Sequence, residues 1–448
     1  MTNVLTKFKA PISVNIEITE KCNIGCFFCF NDETPYTNSL PAIPSDKKFE
    51  NLSMILKILA EKGVFEIRWF GGEFSMFKRW RELLETAFDL GFFMSFVTNG
   101  TILCRQDIEL LAKKEITNGT VSVHGQRNIH DLIVKRPGSF DRATQTIRYM
   151  REYGILPAVA FTPNEHNLSN FEKFAREMIN DHGASSVGVN RLFHSDRYTS
   201  LTLADYHFLF EQIARLQEDG IPAFFIDAFP LCKAPVKYWP FIGGCSQGVT
   251  FGQIDYMGNI KNCSGLAANV GNIFDTDLID IWTSQLQKAR YLKHLPLSCR
   301  LCPNFCGGGC IASRGVKDNF IPDEFIRRPE EETIFQGLLK TAYNHVKALK
   351  YRFITNKEIA NRQIVLPAEI AEDTILKPER RFRIRKEYND LYACLVENKG
   401  LVFINERARS ILLEIQKIHS VAHIKNTLCL GASMVTNDEI VEVYQLVV

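Results

Sequence analysis

Between residues 13 and 218 the hydrophobic positions fall into two alternating rhythms. Short runs rich in β-branched and aromatic residues read as strands: "SVNIEIT" (13–19), "VFEIRWF" (64–70), "FFMSFVT" (92–98), "TVSVHG" (120–125), "ILPAVAFT" (155–162) and "SSVGVNRLF" (185–193). Between them, segments such as "NLSMILKILAEKG" and "QDIELLAKK" repeat apolar residues every third and fourth position, the spacing of an amphipathic helix. Six such β-α units with right-handed crossovers build a parallel sheet, and six suit a partial (β/α)6 TIM-type barrel better than a closed eightfold one. These folds place their chemistry at the C-terminal strand ends. Here those ends carry a cysteine cluster, then Gly71-Gly72-Glu73, Thr98-Asn99-Gly100, Ser122 with His124, Asn164, and Arg191.

The rhythm changes from about residue 225 to 327, where Gly- and Cys-rich loops show little periodicity, as in a domain held by metals instead of a large core. Residues 329–357 read as a long polar helix. The last seventy residues read as three short strands, "RRFRIRK", "LYACLVE" and "LVFI", then helices opened by Asn405, Ser420 and Thr436, the last with Glu439 in capping-box position. This order predicts a small α+β winged-helix-like module. The expected division is 1–220, 221–327, 328–378 and 379–448.

Composition narrows the classes. At 448 residues the chain is long enough for several cores, and 46% hydrophobic with 23% charged residues is ordinary for a globular protein. No run approaches the eighteen or so apolar residues of a membrane span, and the N-terminus has no signal-peptide core, so a cytoplasmic protein is expected. A net charge of +2 gives no case for wholesale binding to nucleic acid or membrane. The thirteen cysteines are an odd number and abundant for a reducing compartment, which favours metal over disulfides. Ten fall into two groups, at 22, 26, 29 and at 232, 245, 263, 299, 302, 306, 310. Cys104, Cys394 and Cys429 lie in apolar segments and read as small buried hydrophobes.

Three thiolates on one loop, "TEKCNIGCFFCFND", cannot supply the four protein ligands of a structural zinc site. A [4Fe-4S] cube tolerates the shortfall and leaves one iron open for an external ligand. The C-x3-C-x2-C spacing with Phe28 before the last cysteine resembles the defining motif of the radical S-adenosylmethionine (radical SAM) family. By that likeness Cys22, Cys26 and Cys29 hold the cluster, and Gly71, Gly72 and Glu73 match the family's "GGE" turn against the methionine amine, with Phe74 where proline often follows. Asn99 lies in the matching "TNG", Ser122 would approach the ribose and methionine, Arg191 the carboxylate or ribose, and Asn164 is a further SAM contact. Phe28 and Phe30 would wall the cluster and the adenine. Bound to that iron, SAM is reductively cleaved to a 5′-deoxyadenosyl radical that takes a hydrogen atom from the substrate. The resemblance also implies an electron donor such as a flavodoxin or ferredoxin.

The pattern Cys245-x12-Gly258-x4-Cys263 followed by Cys299-x2-Cys302-x3-Cys306-x3-Cys310 resembles the SPASM domain, which carries one or two auxiliary [4Fe-4S] clusters. The likeness assigns Cys245, Cys263 and Cys310, with Cys232 as fourth ligand, to one cluster and Cys299, Cys302 and Cys306 to the other. The final cysteine of the pattern is absent, with Ile326 near its place. An oxygen ligand from Asp318 or Asp323 is one way to complete the site, although the ordinary fate of such a residue is a solvated loop carboxylate.

The C-terminal module contains ten Lys plus Arg against nine Asp plus Glu over 379–448, which argues against DNA. Its order of elements resembles the RiPP recognition element, which captures the leader of a ribosomally made precursor peptide as an added strand. The resulting expectation is a radical SAM/SPASM peptide maturase that forms a thioether or carbon-carbon cross-link. The alternatives are sulfatase-maturase-like oxidation of a protein side chain, small-molecule radical SAM chemistry, and a non-enzymatic iron-sulfur sensor with a DNA-binding winged helix.

Overall fold

The computed structural model describes residues 8–29, 43–193, 198–283, 306–325 and 376–447, apart from 245–246, 249, 262, 264, 266–268, 307, 311, 314–322, 324, 388–390, 398 and 429–434. Cys245, Cys299, Cys302, Cys429, Phe30, Asp318, Ile326 and the helix expected at 329–357 lie outside the described residues. The chain divides into two compact units, Met1–Leu349 and Lys350–Val448.

In the first unit the elements run β1 (Ser13–Glu17), α1 (Ser45–Glu61), β2 (Glu66–Phe70), α2 (Trp80–Asp89), β3 (Phe93–Thr98), α3 (Arg105–Lys113), β4 (Asn118–Ser122), α4 (Arg127–Ile133), α5 (Ser139–Glu152), β5 (Leu156–Phe161), α6 (Phe171–Asn180), β6 (Ser186–Val189), α7 (Leu203–Glu218) and β7 (Ala223–Phe225). Then follow β8 (Phe251–Asp255), β9 (Asn259–Lys261), β10 (Asn269–Asn272) and α8 (Leu278–Ile281). β1 to β7 pair in sequence and in parallel, giving the expected partial barrel. Two strands extend it beyond the six foreseen: β7 at one end, and β8, which lies parallel to β1 on its other side and carries β9 and β10. Strands of three to five residues offer too few alternating positions to stand out in a Gly-rich stretch.

Pleating sorts the strand residues. Val14, Ile16, Ile67, Trp69, Phe96 and Val121 join the core with Leu52 and Ile55 of α1 and Leu83 of α2, because helices must bury their apolar stripes on one sheet face. The opposite face, which lines the barrel interior, is polar along one wall. Asn15 stands opposite Arg68 and Gln253, Arg68 opposite Ser95, and Gln253 opposite Lys261.

Cys104 departs from its expected role. It is exposed, not buried, because it sits at the N-terminus of α3, where Asp107 accepts its backbone N–H at 3.0 Å.

The second unit has an antiparallel sheet of β11 (Phe382–Lys386), β12 (Tyr392–Val396) and β13 (Gly400–Ile404), followed by α9 (Glu406–Gln416), α10 (Val421–Thr427) and α11 (Asn437–Tyr444). The N-caps are those read from sequence: Asn405 accepts from Ala408 N at 2.8 Å, Ser420 from His423 N at 3.2 Å, and Thr436 and Glu439 bond reciprocally. Phe382, Cys394, Ile404, Leu412, Ile424 and Ile440 form its separate core, with Cys394 fully buried as expected.

Candidate active site

The cysteine loop leaves β1 and is clamped from two sides. On one side the turn after β2 lies directly on its root, Gly72 N donating to Thr19 O at 2.8 Å and Glu73 N to Lys21 O at 2.7 Å. The approach explains the glycine pair. A Cβ on Gly71, which has φ +142°, would stand 2.4 Å from Thr19 O, and one on Gly72 would stand 2.3 Å from Lys21 O. On the other side Gly25 N donates to Val134 O at 3.0 Å and Phe27 N to Ile133 O at 3.3 Å, while Arg136 donates to Asn23 O. The loop is thereby fixed between β2 and the end of α4.

Glu73 organises the next layer. Its wholly buried carboxylate accepts from Ser75 Oγ at 2.7 Å, Thr98 Oγ1 at 2.9 Å and Asn99 N at 2.7 Å, so the turns after β2 and β3 form one unit. Burial pushes its pKa up, and these donors oppose the shift. Asn99 then reaches the cysteine loop. Its Nδ2 lies 2.9 Å from Asn23 Oδ1 and 3.6 Å from Cys22 Sγ, and its Oδ1 accepts from Thr101 N at 2.9 Å. Asn23 and Thr101 were not singled out from sequence; they are ordinary polar residues whose roles depend on contacts across tens of positions.

Phe28 meets His124 edge-to-face, with centroids 4.9 Å apart. His124 is buried, and its Nδ1 accepts from Thr162 N at 3.2 Å, which fixes a neutral ring with the proton on Nε2. Burial, then the neighbouring His130, holds its pKa well below the usual histidine range. Ser122 is half-buried on the interior face, and its hydroxyl has no hydrogen-bond partner among the described residues.

Two other expected SAM contacts have protein partners. Asn164 turns into its own loop, donating to Thr162 O at 3.2 Å and accepting from His166 N at 3.0 Å. Arg191 is buried, with its guanidinium against Asp323 and Ala228 O and over the rings of Tyr206, Phe229 and Phe325. Asp323 is therefore not a solvated loop carboxylate: it is 1% exposed and also accepts from Cys310 N at 2.7 Å. Its aspartate type was visible in the sequence, but its partner lies 132 residues away.

The second cysteine group is partly assembled among the described residues. Cys263 and Cys310 pack against the same small apolar cluster at Ala312, while Cys306 packs against the main core. A Cβ on Gly309 would stand 2.7 Å from Pro230, so the 306–310 loop lies against the segment that carries Cys232.

Cys22, Cys26 and Cys29 thus stand together on a clamped loop at the C-terminal end of the first strand of a partial barrel, where such folds place their chemistry. The family model described as "Radical SAM superfamily" matches residues 16–178 of the chain. The sporulation killing factor maturation protein SkfB of Bacillus subtilis is 29% identical over 170 residues, covering 38% of this chain and 40% of SkfB. The antilisterial bacteriocin subtilosin biosynthesis protein AlbA of the same organism is 24% identical over 335 residues, covering 71% of each. Among solved structures, Streptococcus suis SuiB bound to S-adenosylmethionine superposes with a TM-score of 0.56 at 18% identity, covering 68% of this chain and 74% of SuiB. SuiB bound to its precursor peptide SuiA gives 0.54 at 18%, with 68% and 72% covered. The family's cofactors are a [4Fe-4S] cluster and SAM, and three unbridged, accessible thiols on one loop are a suitable donor set for that cluster.

Proposed function

We propose that this radical SAM enzyme matures a ribosomally made precursor peptide by installing a thioether or carbon-carbon cross-link. The observation that carries the chemistry is the clamped loop of Cys22, Cys26 and Cys29 at the mouth of the polar-walled interior. When bound there, the cluster and SAM supply a 5′-deoxyadenosyl radical. The protein's own part is placement. The Gly71-Gly72 turn and Asn99 hold the loop still, Phe28 and neutral His124 shield one side from water, and Ser122 offers a hydroxyl toward the interior. For each cross-link the peptide loses two hydrogens. One leaves as a hydrogen atom on 5′-deoxyadenosine; the other leaves as a proton, its electron passing to the protein.

Residues 221–327 serve as the iron-sulfur domain that takes this electron. Cys232, Cys245, Cys263 and Cys310 bind one auxiliary cluster and Cys299, Cys302 and Cys306 the other. The packing of Cys263 with Cys310, and of the Cys232 segment with Gly309, supports the first grouping. Residues 328–378 link this domain to the module at 379–448, which captures the leader as a strand added to an edge of its three-stranded sheet. That relatives are named for bacteriocin and killing-factor maturation, and that SuiB is solved with a precursor peptide, supports a peptide over a small molecule. A reduced flavodoxin or ferredoxin supplies the initiating electron in the cytoplasm. Among the described residues no helix is long and apolar enough to cross a membrane.

Anaerobic reconstitution with the short peptide encoded beside the gene tests the proposal. Peptide-dependent 5′-deoxyadenosine and a peptide lighter by two hydrogens are expected; SAM cleavage indifferent to the peptide, with no mass change, would remove it. About twelve irons per chain would establish three cubes and about eight would establish two.

A further inference from the structure

The second unit holds a cluster of side chains that peptide capture does not use. Glu414 lies in the last turn of α9, His419 in the link that follows and His423 in the first turn of α10. One carboxylate oxygen and one nitrogen from each imidazole all lie within 4.8 Å of one another. Glu414 Oε2 is 2.9 Å from His419 Nδ1, and the two imidazole centroids are 3.9 Å apart. Lys417 Nζ holds the other carboxylate oxygen at 2.7 Å, which fixes how the carboxylate faces the histidines. Burial falls steadily across the cluster: Glu414 is 6% exposed, His419 half-buried and His423 exposed, so one side opens to solvent.

The backbone is strained to make this arrangement. Ile418, between Lys417 and His419, has φ +62°, a conformation that costs a non-glycine residue roughly 1–2 kcal/mol and suits a β-branched one least. Its side chain is 49% exposed, so no burial offsets that cost. The left-handed residue turns the chain back on itself, which sets His419 against Glu414 and brings His423 beside it.

We propose that Glu414, His419 and His423 form a zinc site, with two imidazole nitrogens and one carboxylate oxygen as protein ligands and a water in the fourth position. Two nitrogens and one oxygen suit a borderline divalent ion such as zinc, whereas calcium and magnesium require oxygen sets and iron-sulfur clusters take thiolates. Ligand atoms of a tetrahedral zinc with bonds of about 2.0–2.1 Å stand about 3.3 Å apart, within reach of the observed cluster by small side-chain adjustments. The ion would fasten the end of α9 to the start of α10. This site does not depend on the chemistry of the barrel.

The test uses the full chain with its iron-sulfur clusters assembled, equilibrated with zinc chloride at buffered free concentration and desalted, with zinc per chain measured by mass spectrometry. Wild type should hold one zinc more than His419→Ala, His423→Ala or Glu414→Gln, with at least a hundredfold weaker binding in each variant, and its melting temperature should rise with free zinc while theirs do not. Zinc bound elsewhere, at cysteines included, is common to all four proteins and cancels. His423 is exposed, so an unchanged circular dichroism spectrum for His423→Ala will show that a ligand, not the fold, was lost. Equal zinc in wild type and His423→Ala, or a melting temperature insensitive to zinc in wild type, would overturn the proposal.

Discussion

Arg191, at the end of β6, and Asp323, beyond the second cysteine group, form a two-pronged ion pair in which both side chains are fully buried. The second prong, Arg191 Nη2 to Asp323 Oδ1, measures 3.0 Å, and the other carboxylate oxygen also accepts the Cys310 N–H. The barrel and the cysteine loop are thus joined through one carboxylate. Burying two charges is costly, and the pairing repays it only while both partners remain.

Asp323→Asn should therefore act at a distance from its own loop. It removes the carboxylate charge that faces the buried Arg191 guanidinium and weakens the bond that orients Cys310, at a cost of roughly 3–5 kcal/mol. Thermal melting should fall, and about four irons should be lost while those at Cys22, Cys26 and Cys29 stay. The pair Arg191→Leu with Asp323→Leu should recover much of the stability but not the iron. Retention of all iron in Asp323→Asn would show that the pair does not support the second cysteine group.

Gly72→Ala examines the clamp on the other side of the site. The added methyl would stand 2.3 Å from Lys21 O and 2.6 Å from Glu20 O, both backbone atoms that cannot rotate away. The turn and the cysteine loop must then separate, and SAM cleavage should fall at least tenfold with the overall fold intact. Gly91→Ala is the matched control. That residue has φ +75° and open space around its Cα, so it should cost about 1 kcal/mol and leave SAM cleavage unchanged. Equal losses in both variants would mean that the close approach of the turn does not explain Gly72.

Much of this site was legible because its signals are local. Cys22, Cys26 and Cys29 lie within one short loop, the Gly-Gly-Glu turn occupies three consecutive residues, and the helix caps at Asn405, Ser420 and Thr436 are set by residues three positions apart. What escaped depends on the fold. Arg191 looked like a SAM contact because it stands at a strand end, but its partner is a residue 132 positions away that no local pattern marks. β8 escaped because "FGQID" reads as loop until β1 supplies its neighbour. Cys104 was misread from its apolar neighbours, although Asp107 three residues on already made it a helix cap.

His130 makes stability depend on acid. Its Nδ1 accepts the His124 N–H at 3.1 Å and its ring is 1% exposed, so it must be neutral in the folded chain; burial lowers its pKa to about 4, with Asp131 opposing. A group whose folded pKa lies below its unfolded one contributes stability above the unfolded value of 6.5, and this is lost as pH falls toward 4. The loss from this residue should be on the order of 3 kcal/mol. Urea unfolding at pH 7 and pH 5 should show a smaller difference for His130→Asn, which keeps an acceptor near the Nδ1 position and cannot take up the proton. A slope identical to wild type would place the acid sensitivity elsewhere.

Glu17 and Lys261 give the opposite pH dependence. The two form a buried pair on the interior wall, Oε2 to Nζ at 2.7 Å, with Asn15 Oδ1 two residues from Glu17 lacking a hydrogen-bond partner among the described residues. Burial raises the Glu17 pKa, Asp255 adds to the rise, and Lys261 is the chief opposing influence. Lys261→Met removes that influence, so the folded-state pKa of Glu17 must climb further. A carboxyl group raised in the folded state contributes stability below its unfolded pKa, and this is lost as pH rises through the folded value. The variant should therefore lie close to wild type at about pH 5.5 and fall progressively behind it toward about pH 8.5. Glu17→Gln combined with Lys261→Met has no proton to lose and should remove the widening gap. Because this wall lines the barrel interior, peptide modification should remain impaired in the double variant even where its stability is restored. A Lys261→Met deficit independent of pH would mean that Lys261 acts through packing of its aliphatic stem and not through its charge.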